Sequence, residues 1–410
     1  MNRKALAILS LILILVAGNV SAKTTLEWWQ FWTDPGIKPT IDSFISEFQK
    51  ANPDIAVNVT DLTWANGQEK IAIAFASGTA PDILEIGSDW MAQFAASGKL
   101  ADLSAHLSKD SASFEGWKMA DYNGKLYAKP WILGTRVLFG NRDLMNKANF
   151  APDQIPLNWK ALLIAAIKIR GLGNGIYGWG SNTAEKHRLY KKFLPFFWSN
   201  GAQLFTDDNK YCIISSKLGI EALNVYKMLS DTAGYVADQR GIEDAFLDGK
   251  IGYIVSGDWL LKRIELEHRK LNFFTTLIPG PKYPGKSFLG AEMLAVSAKS
   301  ANQEAACKFL DFITTPANQI RFCKNNRSAN PSSLIAQQDP YFTSNPNVLT
   351  FIKQIKSSVS PPVEPGWPGM EDAIEKGIED ALFGRKLIAT GLWEANVGIM
   401  QARAKANAKP

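Results

Sequence analysis

Seven short neighbourhoods along this chain place aromatic or glycine residues beside groups that bind hydroxyls. They are Trp32-Thr33-Asp34, Asp61 with Trp64, Ser88-Asp89-Trp90, Trp131 with Arg136, Gly257-Asp258-Trp259, Gly290 with Glu292, and Gly366-Trp367. The pairing suits one ligand chemistry. A pyranose presents a face of C–H groups that packs on an indole with little loss of side-chain freedom. Its rim of hydroxyls needs planar, bidentate partners such as Asp, Glu, Asn and Arg. With thirteen Trp in the chain, a large core absorbs some of them, so each neighbourhood alone also reads as packing. Trp259, Trp131 and Asp89 are the leading candidates, followed by Trp32, Trp90, Glu292 and Trp367. Arg136 either donates to ring and hydroxyl oxygens or serves as a structural ion-pair partner. Trp64, Gly290, Asp258, Asp34 and Asn182 complete the set. Trp28, Trp117, Trp159, Trp198 and Trp393 lack polar neighbours of this kind and are read as packing residues.

Other motifs fail on their physics. Gly280–Ser287 reads G-P-K-Y-P-G-K-S, the letters of a phosphate-binding loop. Such a loop aims backbone N–H groups at phosphate and opens a helix. Pro281 and Pro284 have no N–H to offer, and Phe288 to Val296 is strand-like, so the segment is expected to join two strands. Gly173, Gly175 and Gly178 follow a predicted helix rather than a strand, the wrong setting for a dinucleotide. No G-x-S-x-G or H-E-x-x-H occurs, and His106, His187 and His268 lie far apart. The sequence therefore names no catalytic residue, no metal site and no cofactor.

The candidates must be carried by strand ends. Thr25 to Phe31 reads as a strand. Ile41, Phe44, Ile45 and Phe48 recur at helical spacing over 38–50. Ile55, Val57 and Val59 alternate as a strand does. A helix over 67–76, a strand over 82–86 and a helix over 89–97 follow. This β-α-β-α-β series implies a parallel or mixed sheet covered by helices. A second series begins after Pro130, with strands at 137–139, 251–255, 273–278 and 293–296. Its helices fall at 159–169, 217–231 and 242–248. The remainder is predicted helical, at 303–313, 317–324, 346–356 and 370–383. In the last of these, Glu371, Asp372, Glu375 and Glu379 are expected to face water, and the tail from Ala402 to Pro410 is expected to fray.

Arg3 and Lys4, the apolar run Ala5 to Ala17 and the small residues Val20-Ser21-Ala22 form the pattern of a secretory leader cleaved after Ala22. The run is shorter than the roughly 20 residues a membrane span needs. No Cys stands near the cleavage point to carry a lipid. The mature chain is expected in a bacterial periplasm. Its net charge is +6 with the leader included, scattered without a basic stripe, which argues against nucleic acid. Cys212, Cys307 and Cys323 allow one disulfide, Cys307 with Cys323, or three buried thiols.

Several segments carry a family resemblance, in order along the mature chain. They are Thr25-Leu26-Glu27-Trp28-Trp29, Ala76-Ser77-Gly78-Thr79-Ala80-Pro81-Asp82-Ile83 and Leu126-Tyr127-Ala128-Lys129-Pro130-Trp131. Asn141-Arg142-Asp143-Leu144-Met145, Phe246 to Ile251 and Phe288-Leu289-Gly290-Ala291-Glu292 continue it, and the helix 305–315 before Pro316 also fits. The chain resembles the family 1 extracellular solute-binding proteins, which include the maltodextrin-binding proteins. It departs at Gly140, where the family often has Tyr. The resemblance implies an α/β periplasmic-binding-protein fold of type II, with two lobes joined by a hinge of crossing strands. Lobe one would be 23–132 plus 294–330, and lobe two 136–288 plus 333–410. A carbohydrate, a di- or oligosaccharide, would sit between them, with Trp259 and Trp367 stacking on it and Asp89 accepting from its hydroxyls. The lobes would close on it by hinge motion. The partner would be the membrane permease of an ABC importer, and the protein a monomer. A glycerol phosphate or other polyol ester is the alternative ligand. A secreted glycoside hydrolase using Asp89 and Glu292 is the alternative activity.

Overall fold

The computed structural model describes residues 23–408 apart from 108–111, 152, 184, 186 and 268–269. The expected leader and His268 lie outside the described residues. Among the described residues, no helix is long and apolar enough to cross a membrane.

Two sheets organise the chain. Strands β1 (Thr24–Gln30), β2 (Ile55–Asp61) and β3 (Ile83–Gly87) open it, followed by the small hairpin β4 (Asp121–Tyr122) and β5 (Lys125–Leu126). Next come β6 (Ala128–Thr135), β7 (Val137–Asn141), β8 (Tyr177–Asn182), β9 (Gly234–Ala237), β10 (Ile251–Ser256) and β11 (Phe273–Thr276). The last are β12 (Ser287–Val296), β13 (Asn330–Pro331) and β14 (Ser358–Val359). The first sheet has the order β13-β6-β12-β3-β1-β2, with β14 on β12, and the second β11-β7-β10-β8-β9. β1, β2 and β3 are parallel, so their carboxyl ends share one edge. The central strands are buried on both faces, as helix-covered sheets require.

The sheets meet where chain passes between them. One residue, Arg136, separates β6 of the first sheet from β7 of the second. β12 runs antiparallel to β6 with a bulge between Glu292 and Met293. Ser287 Oγ donates to the Arg136 carbonyl at 2.7 Å, and Thr135 Oγ1 to the Phe288 carbonyl at 2.9 Å. These bonds tie the crossing strands at the joint.

Each sheet has its own apolar core. Trp28, Phe44, Phe48, Trp131 and Phe309 belong to the first. Trp179, Tyr190, Phe196, Tyr226 and Trp367 belong to the second. Residues 333–355, expected with the second lobe, divide instead: Phe342, Ile352 and Ile355 enter the first core, and Phe351 packs with Phe139 and Phe246.

The periodic segments fold as their spacing predicts, within a few residues, and the Gly280–Ser287 segment leads into β12 rather than a helix. Four elements carry weaker signals. β6 contains Pro130. β8 contains Gly178, where a Cβ would overlap the Ala166 carbonyl, so the glycine lets the helix Trp159–Arg170 lie directly on the strand. The helix Leu189–Ser199 contains Pro195. The helix Trp259–Leu266 was hidden by its role in the G-D-W motif.

Two expectations are corrected. The tail does not fray from Ala402, because the helix Ile388–Asn407 continues through it. The acidic row on the helix Trp367–Leu382 is not all solvated: Glu371 is 1 % exposed and Glu375 8 %. The three cysteines are free and buried, which settles the pairing left open above.

Candidate functional site

The site residues of the first sheet come from the carboxyl ends of parallel strands, where open α/β sheets bind ligands. β1 ends into Phe31, Trp32 and Asp34. β2 ends into the turn that bears Trp64. β3 ends at Gly87, and Ser88 and Asp89 start the helix Ser88–Ala96. Asp89 thereby sits in a first turn, where the helix dipole favours a negative charge. The second sheet answers with Gly257 and Asp258 after β10, then the helix Trp259–Leu266. The helix Leu189–Ser199 adds Tyr190 and Lys191.

One flank of the cleft is closed by polar bonds between the two sides. Lys262 Nζ lies 2.9 Å from Asp34 Oδ2 and donates to Asn326 at 3.3 Å. Asp258 accepts from Asn330 Nδ2 at 2.6 Å and from Ser328 Oγ at 3.3 Å. Arg327 pairs with Glu265 at 2.8 Å. Within this flank lies a groove of about 450 Å³, bounded by Phe31, Trp32 and Asp34 on one side and Trp259, Lys262 and Leu266 on the other. On the opposite flank, Lys191 Nζ approaches Asp89 Oδ2 at 3.5 Å, and Tyr190 Oη reaches the same oxygen at 3.5 Å. The Glu375 carboxylate accepts the backbone N–H groups of His187, at 3.3 Å, and Arg188, at 2.9 Å. It thus holds the turn that presents Tyr190 and Lys191. Glu371 hydrogen-bonds the His187 ring.

Arg136 stands at the centre. Its guanidinium carbon is 5.4 Å from the Trp259 ring and 5.0 Å from the Phe288 ring. Its Nε has no hydrogen-bond partner among the described residues. Burial pulls its pKa down to about 10, while Asp258, Glu292 and Tyr190 favour its charge. Burial, with the nearby Asp258 adding to it, pushes Glu292 up to about 7. Burial likewise lifts Asp258 to about 6 against the pull of Arg136. Under the floor, burial holds Glu85 well above the usual carboxylate range, with Glu292 adding to it. Glu85 accepts the Phe31 N–H at 2.9 Å.

The cleft brings together Trp259, Trp32, Asp34, Asp89, Arg136, Asp258 and Glu292. Gly290 lies in its floor beside Ser88, whose Oγ accepts the Ala291 N–H at 3.1 Å. Trp64 is on the rim, 42 % exposed, and stacked on Phe31 at 4.2 Å. Trp90 is buried beneath it at 5.4 Å and supports it. Three candidates stand back from the cleft. Trp131 is fully buried against Trp28, at 6.1 Å, and Phe322, at 4.8 Å. Trp367 is buried beneath Tyr190 at 5.9 Å. Their expected roles as direct contacts are corrected: both rings spend their faces on the core. Asn182 is buried and donates to Gln239 at 3.2 Å, behind Trp259. Gly140 is fixed by packing, since a Cβ there would overlap the Phe274 ring.

The sequence reading missed Tyr190, Lys191, Lys262, Glu371 and Glu375. Lys262 had a usable signal, since it lies three residues after Trp259 on the same helix face. The carboxylates of the helix Trp367–Leu382 had none, because a buried acid and a solvated one look alike in sequence.

Comparison with known proteins gives the same architecture. The maltodextrin-binding protein MdxE of Bacillus subtilis is 23% identical over 367 residues, covering 87% of this chain and 86% of the relative. The sn-glycerol-3-phosphate-binding periplasmic protein UgpB of Escherichia coli is 23% identical over 405 residues, covering 90% of each. The structure of the sugar-binding protein MalE from Xanthomonas citri superposes with a TM-score of 0.83 at 21% identity, covering 94% of this chain and 98% of that one. The profile of the bacterial extracellular solute-binding proteins matches residues 34–320. Two α/β units around a polar, aromatic cleft are what that match predicts, and the chain belongs to the bacterial extracellular solute-binding protein family.

Proposed function

We propose that this protein captures a neutral carbohydrate, a disaccharide or short oligosaccharide, between its lobes and delivers it to the permease of an ABC importer. The observation that carries this is the pairing of cleft charges. Lys191 faces Asp89, Lys262 faces Asp34, Lys192 donates to the Val255 carbonyl at 2.6 Å, and Arg263 is shared among Glu243, Asp244 and Glu267. Among the described residues, these lysines of the cleft are each paired with a carboxylate or a carbonyl rather than left to bind an anion, whereas ring faces and Glu292 remain for C–H groups and hydroxyls. The named ligand of MdxE agrees with this chemistry.

Lobe one comprises 23–132 plus 294–330, and lobe two 136–288 plus 356–410, with 333–355 packed across both. The leader directs export, and the mature protein works as a monomer without catalytic turnover. One observation favours a second ligand class: Arg188 lies close enough to Arg136 to disfavour the Arg136 charge, and two neighbouring guanidinium groups are what a phosphate site would use. The name of the UgpB relative makes a polyol phosphate its concrete form.

A thermal melt of refolded, ligand-stripped protein against saccharides and glycerol phosphates separates the two. A ligand at 100 times its dissociation constant adds about 2.7 kcal/mol. A shift with neutral saccharides alone is expected. A shift with phosphate esters alone moves the assignment to the second class, and turnover of an aryl glycoside that dies in Glu292→Gln overturns both.

A further inference from the structure

Trp259 is held from behind by a buried carboxylate. Its indole Nε1 donates to Glu243 Oε1 at 2.6 Å. The same oxygen accepts from Ser256 Oγ at 2.8 Å and from Gln239 Nε2. The other oxygen accepts from Arg263 Nη1 at 3.0 Å. Asn182 in turn occupies the Gln239 carbonyl oxygen. Glu243 is 3 % exposed, and an ionised carboxylate is tolerated there only when paired and hydrogen-bonded. These four donors meet that condition, and one of them is the ring that faces the groove. Gly257 completes the mount. A methyl group at 257 would overlap the Trp259 ring, so glycine leaves the indole the space it occupies against the backbone. The requirement is for space, since Gly257 is not among the positive-φ residues.

We propose that Glu243, with Gly257, is a positioning residue that fixes the Trp259 ring as a preformed platform for the ligand's apolar face. It sets affinity without touching the ligand, and the affinity claim rests on the carbohydrate function proposed above. A ring already in place need not be ordered on binding, which is how preorganisation raises affinity. An indole without its acceptor must be ordered each time a ligand arrives.

Two arms test this with the full mature protein. In the first, the indole ¹⁵N–H resonance of Trp259 is assigned by its loss in Trp259→Phe, with no ligand present. A single sharp resonance is expected in the wild type, and a shifted, broadened or split one in Glu243→Gln. An unchanged resonance in that variant overturns the proposal. In the second, maltotriose and other neutral di- and trisaccharides are titrated. Glu243→Gln should weaken binding roughly tenfold, the worth of one hydrogen bond to a charged group. The double variant with Trp259→Phe should bind no more weakly than Trp259→Phe alone, because the two act through one ring. Additive losses would show that Glu243 acts elsewhere and would overturn the proposal. Gly257→Ala leaves the carboxylate intact and should weaken binding by a similar factor; it carries both arms if Glu243→Gln fails to fold. If the wild type binds no saccharide, the carbohydrate function and the affinity claim fall together, while the indole resonance still decides whether Glu243 fixes the ring.

Discussion

Replacing Glu292 by Gln should stabilise the unliganded protein at alkaline pH. Burial, with Asp258 nearby, lifts the folded-state pKa of Glu292 from 4.5 to about 7. A carboxyl raised in this way binds more protons folded than unfolded, so its ionisation costs stability as pH climbs from about 4.5 to about 7, and the cost is level above that. A shift of roughly 2.5 units corresponds to about 3 kcal/mol at pH 8. At pH 5 the folded carboxyl is neutral and less than about 1 kcal/mol remains. Glutamine keeps the shape and never ionises, so it removes that cost. With an unfolding entropy near 2.1 cal/mol/K per residue over about 390 residues, the melting temperature should rise by about 4 °C at pH 8 and about 1 °C at pH 5. Calorimetry of both proteins at the two pH values measures this, and saccharide binding should weaken in the same variant. An unchanged or lower melting temperature for Glu292→Gln at pH 8 would refute the claim that the cleft holds this carboxylate at a cost to stability.

Three further outcomes follow from particular contacts. Lys262→Ala removes a pair that spans the cleft with Asp34; stopped-flow fluorescence should show a ligand off-rate raised about fivefold, as loss of roughly 1 kcal/mol implies, and an unchanged on-rate. Gly178→Ala sets a methyl group against the Ala166 carbonyl and should lower stability by about 2 kcal/mol in urea unfolding without altering affinity. All three cysteines are free, and burial pushes the Cys212 and Cys307 thiols up to about 11. A disulfide reagent should therefore modify none of them in the native state and all three in urea, and a reductant should leave the melting temperature unchanged.

The legible part of this protein is the part written in local periodicity. Ile41, Phe44 and Phe48 mark one face of a helix, and all three are buried. Ile55 and Val57 mark the inner face of a strand, and both are buried. Such patterns repeat because every element must turn an apolar side to its sheet. They gave the two α/β series, and the cleft follows from where parallel strands end. The elements that escaped break their own period: Pro130 in β6 and Pro195 in its helix interrupt the pattern, and Gly178 and Gly180 in β8 meet a packing need, a close neighbour where a Cβ would sit, that neighbours in sequence do not reveal.

Which aromatic and which acid reach the cleft is decided by the tertiary structure. Trp131 and Trp259 stand in equally suggestive company, beside Arg136 and Asp258, yet one is sealed behind Trp28 and Phe322 and the other faces the groove. Glu371 and Glu375 read as solvated, yet they bind the turn before Tyr190, more than 180 residues away. The sequence by itself determined the α/β class, the strand ends that bear Asp89 and Trp259, and the strand rather than helix that follows the Gly280–Ser287 segment. Only folding decided which rings were covered and which carboxylates lost water, because burial and pairing are properties of residues brought together from distant parts of the chain.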